Sequence, residues 1–380
     1  MENTYLRTYD KKECNGCGLC ELECPVKAIR MVEDQEGFLY PVIDKEKCIN
    51  CKKCLKVCSN HNDGTDLNLA YMAINKNIED LSNSSSGGIF YLLAKYVIEQ
   101  NGVVFGVEYN DKMEAQHNYY DDLKDCKKFQ GSKYVRSNLN NMYIKVKENL
   151  LNGKYVLFTG TPCQCQGLKK FLKKDYNNLI LCDIICHSNP SPKVFKKYIS
   201  ELEQKYNKKI VNFIHRPKDK GWHPISSTVV FDDGTKIDDS LYFNAFGLEL
   251  LGRPSCHQCK FTERKRVTDF TIADLWGVEK ILPDMVDDNT GISLICINSE
   301  KAAKIFKNIN KKMFIKEVDK KIAFSYNHNT NVKVHRNREK FFKEIDNIAI
   351  TENMKKNLKE SQIRKVLKRI KKNVKKFLGR

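Results

Sequence analysis

The chain has 380 residues, 41% of them apolar and 30% charged, an ordinary globular composition that excludes fibrous and disordered classes and allows two or more domains. Its net charge of +19 is uneven: residues 351–380 hold nine Lys, three Arg and two Glu, so the rest is only modestly basic and nucleic acid is not an expected partner. The longest apolar stretches, 87–96 and 292–297, fall well short of the roughly 20 residues that a membrane-spanning helix needs.

Sixteen cysteines would suggest disulfides in a secreted protein. Met1-Glu-Asn-Thr-Tyr-Leu-Arg7 lacks the apolar stretch of a signal peptide, so a cytoplasmic protein with reduced thiols is expected.

The first motif is Cys14-x-x-Cys17-x-x-Cys20-x-x-x-Cys24-Pro25, and Cys48-x-x-Cys51-x-x-Cys54-x-x-x-Cys58 repeats its spacing. Short turns of this kind fold three thiolates around one corner of a [4Fe-4S] cluster, and the fourth ligand comes from the other run. With that crossing, Cys14, Cys17, Cys20 and Cys58 hold one cluster, and Cys48, Cys51, Cys54 and Cys24 the other. Zinc also binds Cys-x-x-Cys pairs, but two four-membered runs favour clusters, which carry single electrons as zinc cannot. Ser59 stands where the first motif has Pro25, and a local change in potential is expected from it, with the cluster retained.

His61-Asn-Asp-Gly-Thr-Asp66 is polar and turn-forming and reads as a linker. Beyond it, 103–107, 155–159 and 179–185 read as strands, and 89–100, 140–151, 166–172 and 192–205 as helices. Residues 227–231, Asp232-Asp-Gly234 and 235–237 read as a hairpin. The expected architecture is α+β: a two-[4Fe-4S] ferredoxin-like domain over 1–62, an α/β-like body with a mixed sheet over 63–345, and a basic tail over 346–380. In the tail Ile363, Val366, Leu367, Ile370, Val374, Phe377 and Leu378 recur at helical spacing. Such a helix either packs on the body or a partner, or lies on an anionic membrane at the inner face.

Four more cysteines sit in turn-like contexts: Cys163, Cys186, and the pair Cys256 and Cys259. From spacing alone they are either core thiols with a zinc half-site or a third cluster site. Cys165 is the substitute if Cys163 is not a ligand.

Several stretches together resemble the coenzyme F420 hydrogenase/dehydrogenase beta-subunit family. They are Ser84-Ser-Ser-Gly-Gly88, Gly131-Ser-Lys-Tyr134, Gly160-Thr-Pro-Cys-Gln164, Cys186-His187 with Pro190-Ser-Pro192, Arg216 with Lys218 and Gly221-Trp222, Arg253-Pro-Ser-Cys256-x-x-Cys259, and Ala273-Asp-Leu-Trp-Gly277. The resemblance covers residues 70–300 and implies an α+β body that binds FAD and a [4Fe-4S] cluster and passes electron pairs to or from a substrate. Family members include reducers of the deazaflavin coenzyme F420, and fusions to a ferredoxin module occur beside bacterial polysaccharide-assembly enzymes. Ser188 and Ala273 replace glycines that the resemblance leads one to expect.

On this reading, Ser84, Ser85, Ser86, Gly87 and Gly88 form a phosphate site ahead of a helix, although serine and glycine there also serve ordinary capping. Lys133 would offset pyrophosphate charge, or simply face solvent. Gly160, Thr161, Pro162 and Gln164 form a turn after a strand where backbone approaches a ligand. Trp222 and Trp276, with Asp274, flank an aromatic ring system or sit in the core. His187 is the candidate proton relay, or a hydrogen-bond donor to sulfur or backbone.

The functional expectation is a flavin-dependent iron–sulfur oxidoreductase that exchanges electrons with a redox partner protein or low-potential donor and a hydride with an organic acceptor. Its direction is set by potentials. The alternative from another class is a non-catalytic electron-transfer subunit or partner protein in a polysaccharide-assembly pathway.

Overall fold

The computed structural model of the chain describes residues 4–66, 69–327 and 329–359. Near the N-terminus, strands β1 (Ile29–Glu33) and β2 (Leu39–Ile43) pair antiparallel between the two cysteine loops. Asp34 closes their turn by accepting from the backbone N–H of Glu36 and Phe38. Each cysteine loop runs into a single helical turn, Leu19–Leu22 and Lys53–Lys56. Both loops take the same backbone path, with positive φ at Gly16 (70°) and Gly18 (75°) in the first and at Asn50 (52°) and Lys52 (57°) in the second.

The body is built on β3 (Leu69–Asn75), β4 (Val103–Tyr109), β5 (Ala115–Tyr120), β6 (Val156–Gly160) and β7 (Leu179–Ile184). A small antiparallel sheet of β8 (Ile210–Ile214), β9 (Ser227–Phe231) and β10 (Lys236–Asp239) follows, then β11 (Phe270–Asp274), β12 (Ser293–Ile297) and β13 (Met313–Glu317). The large sheet has the order β13-β3-β12-β11-β7-β6-β4-β5. Its centre, β4, β6, β7 and β11, is parallel, and its flanks are antiparallel. The fold is therefore α+β with a mixed sheet, as the sequence predicts. Continuous apolar runs such as Leu179–Ile184 suit central strands because helices cover both faces. Val104, Leu157 and Ile180 pack under the helices Ile89–Ile98 and Glu300–Ile309. Val103, Phe158 and Leu181 pack under Met142–Leu151 and Pro162–Leu172.

Two local readings shift. The helix expected at 166–172 starts at Pro162, because Thr161 and Gln164 form a reciprocal capping box. The hairpin keeps its turn, with Gly234 at φ 82°, but its second strand is Lys236–Asp239. At the end of the described chain, Ile350–Leu358 buries Ile350 and Met354 in one core with Phe195 and Phe342. The amphipathic helix expected at 363–378 lies outside the described residues. No helix of the described residues is long and apolar enough to cross a membrane.

The N-terminal module is seated in the body. Phe38 and Tyr40 belong to the same core as Phe195 and Phe342. Arg338 meets Glu36 in a two-pronged ion pair. Arg253, 1% exposed, donates from Nε to the Cys14 carbonyl (2.7 Å) and from Nη2 to the Leu39 carbonyl (2.9 Å), and its guanidinium lies 4.2 Å from the Tyr40 ring centre. A Cβ on Gly16 would come within 3.0 Å of that guanidinium, so both φ and space require glycine there.

Arg253→Ala leaves two buried carbonyls unpaired and opens a cavity, a loss on the order of 3 kcal/mol. Thermal unfolding of the cluster-loaded protein should show a lowered midpoint, and hydrogen exchange should speed up in residues 14–39. An unchanged midpoint and exchange pattern would show that Arg253 does not hold the module.

Candidate redox site

In the first cysteine group, burial pushes the Cys20 thiol well above its ordinary range, and the nearby Cys17, Cys14 and Cys58 push it further. Those four are the set expected from the crossed motif. Burial also raises Cys17, while the Ser59 hydroxyl, fully enclosed, donates to its sulfur at 3.1 Å and acts the other way. In the second group burial raises Cys54, and Cys51 and Cys48 add to it. Cys24 accepts the Ala28 N–H at 3.2 Å. Cys51 is the single exposed thiol among the sixteen.

Four clustered thiols cannot all ionise without a cation among them, and a four-iron cluster supplies it; the donor sets fit such clusters. Among the described residues, no three His, Cys, Asp or Glu side chains are arranged to hold a single metal ion. That arrangement differs from a cluster site, where the cube itself holds the thiolates apart.

A third group converges deeper in the chain. Burial raises Cys186 well above the usual thiol range, and Cys256, Cys163 and Cys259 are the charges that add to it. Cys256 is pushed up to about 11 and Cys259 to about 12, in each case by burial first. Backbone N–H groups of Asn189 and Phe261 donate to Cys256 and Cys259, each at 3.4 Å. Cys163 occupies the first turn of the helix Pro162–Leu172. Cys165 lies in the core beside the Cys182 carbonyl, so Cys163 is the one beside the other three.

Arg136 joins the first group to the third: Nη2 donates to the Gly16 carbonyl (3.1 Å) and Nη1 to Cys163 Sγ (3.7 Å). Neither Arg136 nor Arg253 has a carboxylate partner among the described residues, although both are buried. A buried guanidinium needs negative charge nearby, and thiolates of the two groups are what lies at hand.

On the other side of the third group lies a cluster of basic side chains. The His187 ring meets Phe246 edge to face (5.0 Å), and Phe246 stacks on Tyr134 (4.6 Å). Tyr134 neighbours Arg216, whose Nη1 donates to Asp274 Oδ2 at 2.5 Å while its buried Nε and Nη2 have no hydrogen-bond partner. Lys218 donates to the Leu81 and Ser86 carbonyls, and burial followed by Arg216 pushes it down to about 8. Burial pushes Lys133 down to about 7, its Nζ donating to the Lys128 and Gln130 carbonyls. Ser85 Oγ accepts the Ser132 N–H, which ties the 84–88 loop to the same place. Within that loop Ser84 Oγ donates to the Asp80 carbonyl, Ser86 Oγ to the Ile292 carbonyl, and the Gly87 N–H to Ser293, while Gly88, φ 78°, precedes the helix Ile89–Ile98.

Several expectations change on contact with this geometry. Trp222 and Trp276 stack on each other at 5.0 Å and 2°, leaving no room for a ring between them, with Asp274 taking the Trp222 N–H and the Arg216 guanidinium over Trp276. Gly160, Thr161, Pro162 and Gln164 belong to the cysteine side; Gln164 is enclosed, accepting from the Thr161 N–H and donating to Ser137. His187 is engaged by Glu249 at 2.7 Å, the same carboxylate that takes His257 (3.1 Å) and Ser188 Oγ (2.6 Å). Burial raises the Glu249 carboxyl, yet those hydrogen bonds hold it below the usual range. Ser188 and Ala273 both avoid positive φ, so neither replaced glycine strains the backbone.

Arg136, Glu249 and the hydroxyl of Ser59 are contributors that sequence reasoning did not place. Arg216 and Lys218 were visible beside Gly221-Trp222 without an assigned role, and a basic pair following a strand was the available signal.

A hydrogen bond to a cluster thiolate stabilises the reduced, more negative state. Ser59→Ala should lower the midpoint potential of the first cluster by roughly 20–60 mV, the equivalent of a ~0.5–1.5 kcal/mol hydrogen bond for one electron, with iron content unchanged. Redox titration followed by electron paramagnetic resonance measures it; an unshifted potential would show that the hydroxyl does not act on the cluster.

Comparison with known proteins places these features. Residues 13–62 match the 4Fe-4S dicluster domain, and residues 153–321 match the family described as the C terminus of the coenzyme F420 hydrogenase/dehydrogenase beta subunit. The curated relatives cover the N-terminal module. The B component of an ion-translocating oxidoreductase complex of Methanosarcina acetivorans is 49% identical over 45 residues, 12% of this chain and 15% of that protein. A ferredoxin-like protein in the nif region of Sinorhizobium fredii is 42% identical over 52 residues, 12% of this chain and 73% of that protein. An uncharacterized ferredoxin of Methanocaldococcus jannaschii is 39% identical over 49 residues, 13% of this chain and 62% of that protein. Among solved structures, a chain of the F420-reducing [NiFe] hydrogenase complex from Methanosarcina barkeri aligns over 77% of this chain and 90% of its own, with 17% identity and a TM-score of 0.45. The chain thus joins a 4Fe-4S dicluster module at residues 13–62 to a segment, residues 153–321, that matches the C-terminal domain of coenzyme F420 hydrogenase/dehydrogenase beta subunits.

Proposed function

We propose that the chain is an iron–sulfur flavoprotein oxidoreductase in which electrons pass between the N-terminal clusters and FAD, and then to or from an organic hydride acceptor such as the deazaflavin coenzyme F420. One observation carries the reading: the first and third cysteine groups are joined through one buried arginine, and the third is joined through aromatic rings to a cluster of basic side chains. Arg136 touches the first loop and Cys163, and His187, Phe246 and Tyr134 link the third group to Arg216.

A third [4Fe-4S] cluster would be held by Cys163, Cys186, Cys256 and Cys259. The N–H groups of Asn189 and Phe261 and the Arg136 guanidinium would compensate thiolate charge. The unpartnered nitrogens of Arg216, with Lys218 and Lys133 around the 84–88 loop, support an anionic ligand there such as the pyrophosphate of FAD. When bound, a flavin supplies the exchange between single electrons and hydride pairs. Tyr134 and Phe246 fill the gap toward the third group and exclude water from it. Glu249 fixes the His187 ring against Phe246, a positioning role that leaves the proton relay for the acceptor to another group. The second participant is a redox partner protein or low-potential donor.

Iron, sulfide and acid-released flavin should be quantified on one anaerobically purified sample, with about twelve irons and one FAD expected. Cys256→Ser should reduce iron to about eight, and Arg216→Gln should release flavin at unchanged iron. Eight irons and no flavin in the parent protein would end the catalytic reading and leave an electron carrier.

A further inference from the structure

The two cysteine loops share one backbone path but not one environment. At Gly16 the first loop faces Arg253 and Arg136, inside the molecule. The second loop turns outward: Cys51 is exposed, and Ile49 beside it is 61% exposed. At the two positive-φ positions it carries Asn50 and Lys52 where the first carries glycine. A left-handed lysine costs on the order of 1 kcal/mol that glycine would avoid, so its presence next to the exposed thiol calls for a function.

The surroundings supply one. Lys45, Lys52 and Lys56 are exposed around Cys51 and make no ion pair among the described residues. Lys53 and Lys173 share the buried Glu23 carboxylate, so the basic face continues onto the end of the helix Pro162–Leu172. Asp44 and Glu46 are the acidic groups of the segment, and Asp44 is paired with Lys47. An apolar spot, an exposed cluster ligand and a cationic rim together match what a small redox protein presents in mirror image.

We propose that the face around Cys51, Ile49, Lys52 and Lys56 is the docking port for an acidic one-electron carrier protein of the two-[4Fe-4S] ferredoxin type. Electron transfer weakens steeply with distance, so the exposed ligand marks where electrons cross. The carrier loses one electron, the four-iron group held by Cys48, Cys51, Cys54 and Cys24 gains it, and no bond or proton moves. In the opposite direction the same face serves with donor and acceptor exchanged. This deepens the electron-transfer reading and does not require that a flavin be bound.

The test is stopped-flow bleaching of the cluster absorbance in the full-length, cluster-loaded protein, using a reduced acidic bacterial two-[4Fe-4S] ferredoxin. Photoreduced deazariboflavin, a small uncharged reductant, serves as the reference. For Lys52→Glu/Lys56→Glu, the second-order rate with ferredoxin should fall roughly tenfold at low salt, and the gap should close as ionic strength passes about 0.15 M. Deazariboflavin should react equally with parent and variant, and Lys304→Glu/Lys307→Glu, an equal charge change on an exposed helix face elsewhere, should behave as the parent. Equal ferredoxin rates in parent and port variant, or equal slowing by the remote variant, would overturn the port. So would cosedimentation with phosphatidylserine vesicles that only the port variant loses while its ferredoxin rate is kept. Parent clusters that deazariboflavin fails to reduce would overturn the electron-transfer reading itself.

Discussion

Arg253 and Arg136 enter the first cysteine loop from the body side and donate to its backbone carbonyls at Cys14 and Gly16. Everything else about the arrangement depends on that seating. Burying a guanidinium is expensive unless charge and hydrogen bonds compensate it, and neither arginine has a carboxylate to do so among the described residues. With clusters bound, thiolates on either side of Arg136 would be the compensating charge, and loading of the cysteine groups and docking of the N-terminal module would stabilise each other. The same contact fixes which of the two N-terminal groups faces the third one.

The internal repeat shows how one sequence pattern is divided between two tasks. Both loops need a left-handed backbone at equivalent places. Where the loop presses on Arg253, only glycine fits; where it faces water, Asn50 and Lys52 accept the conformational cost and keep their side chains outside. Ser59 is a second asymmetry. In place of the proline of the first motif it is fully buried and donates a hydrogen bond to the Cys17 sulfur in the other run. A substitution that looks like a flaw in the second motif therefore acts on the first group, because the crossing of Cys58 brings the end of one run against the start of the other.

Short-range chemistry was legible in the sequence and long-range chemistry was not. Cysteine spacing marked the N-terminal dicluster module, continuous apolar runs named the central strands, and Asp-Gly named the hairpin turn. The start of the helix at Pro162 was also written there, as Thr-Pro-Cys-Gln, but reading that segment as a ligand turn hid its capping box. Arg136 had no local signal, since its partners are Gly16, 120 residues away, and Cys163. The mutual stacking of the tryptophans was not legible either: both lie at Asp274, where a shared carboxylate and cation draw them onto each other.

The basic cluster near the third cysteine group holds its charge against burial. Lys133, Arg216 and Lys218 gather around the 84–88 loop, and Asp274 is the carboxylate that Arg216 engages. Burial depresses Lys133 to about 7 and Lys218 to about 8, with Arg216 the next contributor at Lys218, so burial works against the positive charge of this cluster. An anion placed among these groups reverses that penalty, because an opposite charge nearby favours the ammonium form. Binding would draw protons into the cluster at and above neutral pH, and the affinity gained would weaken as pH rises through the ligand-bound pKa values of the two lysines. A ligand that carries two phosphate charges gains most from this coupling, since it satisfies the free nitrogens of Arg216 and recharges both lysines together. Such a cluster would select for charge before any contact with a ring.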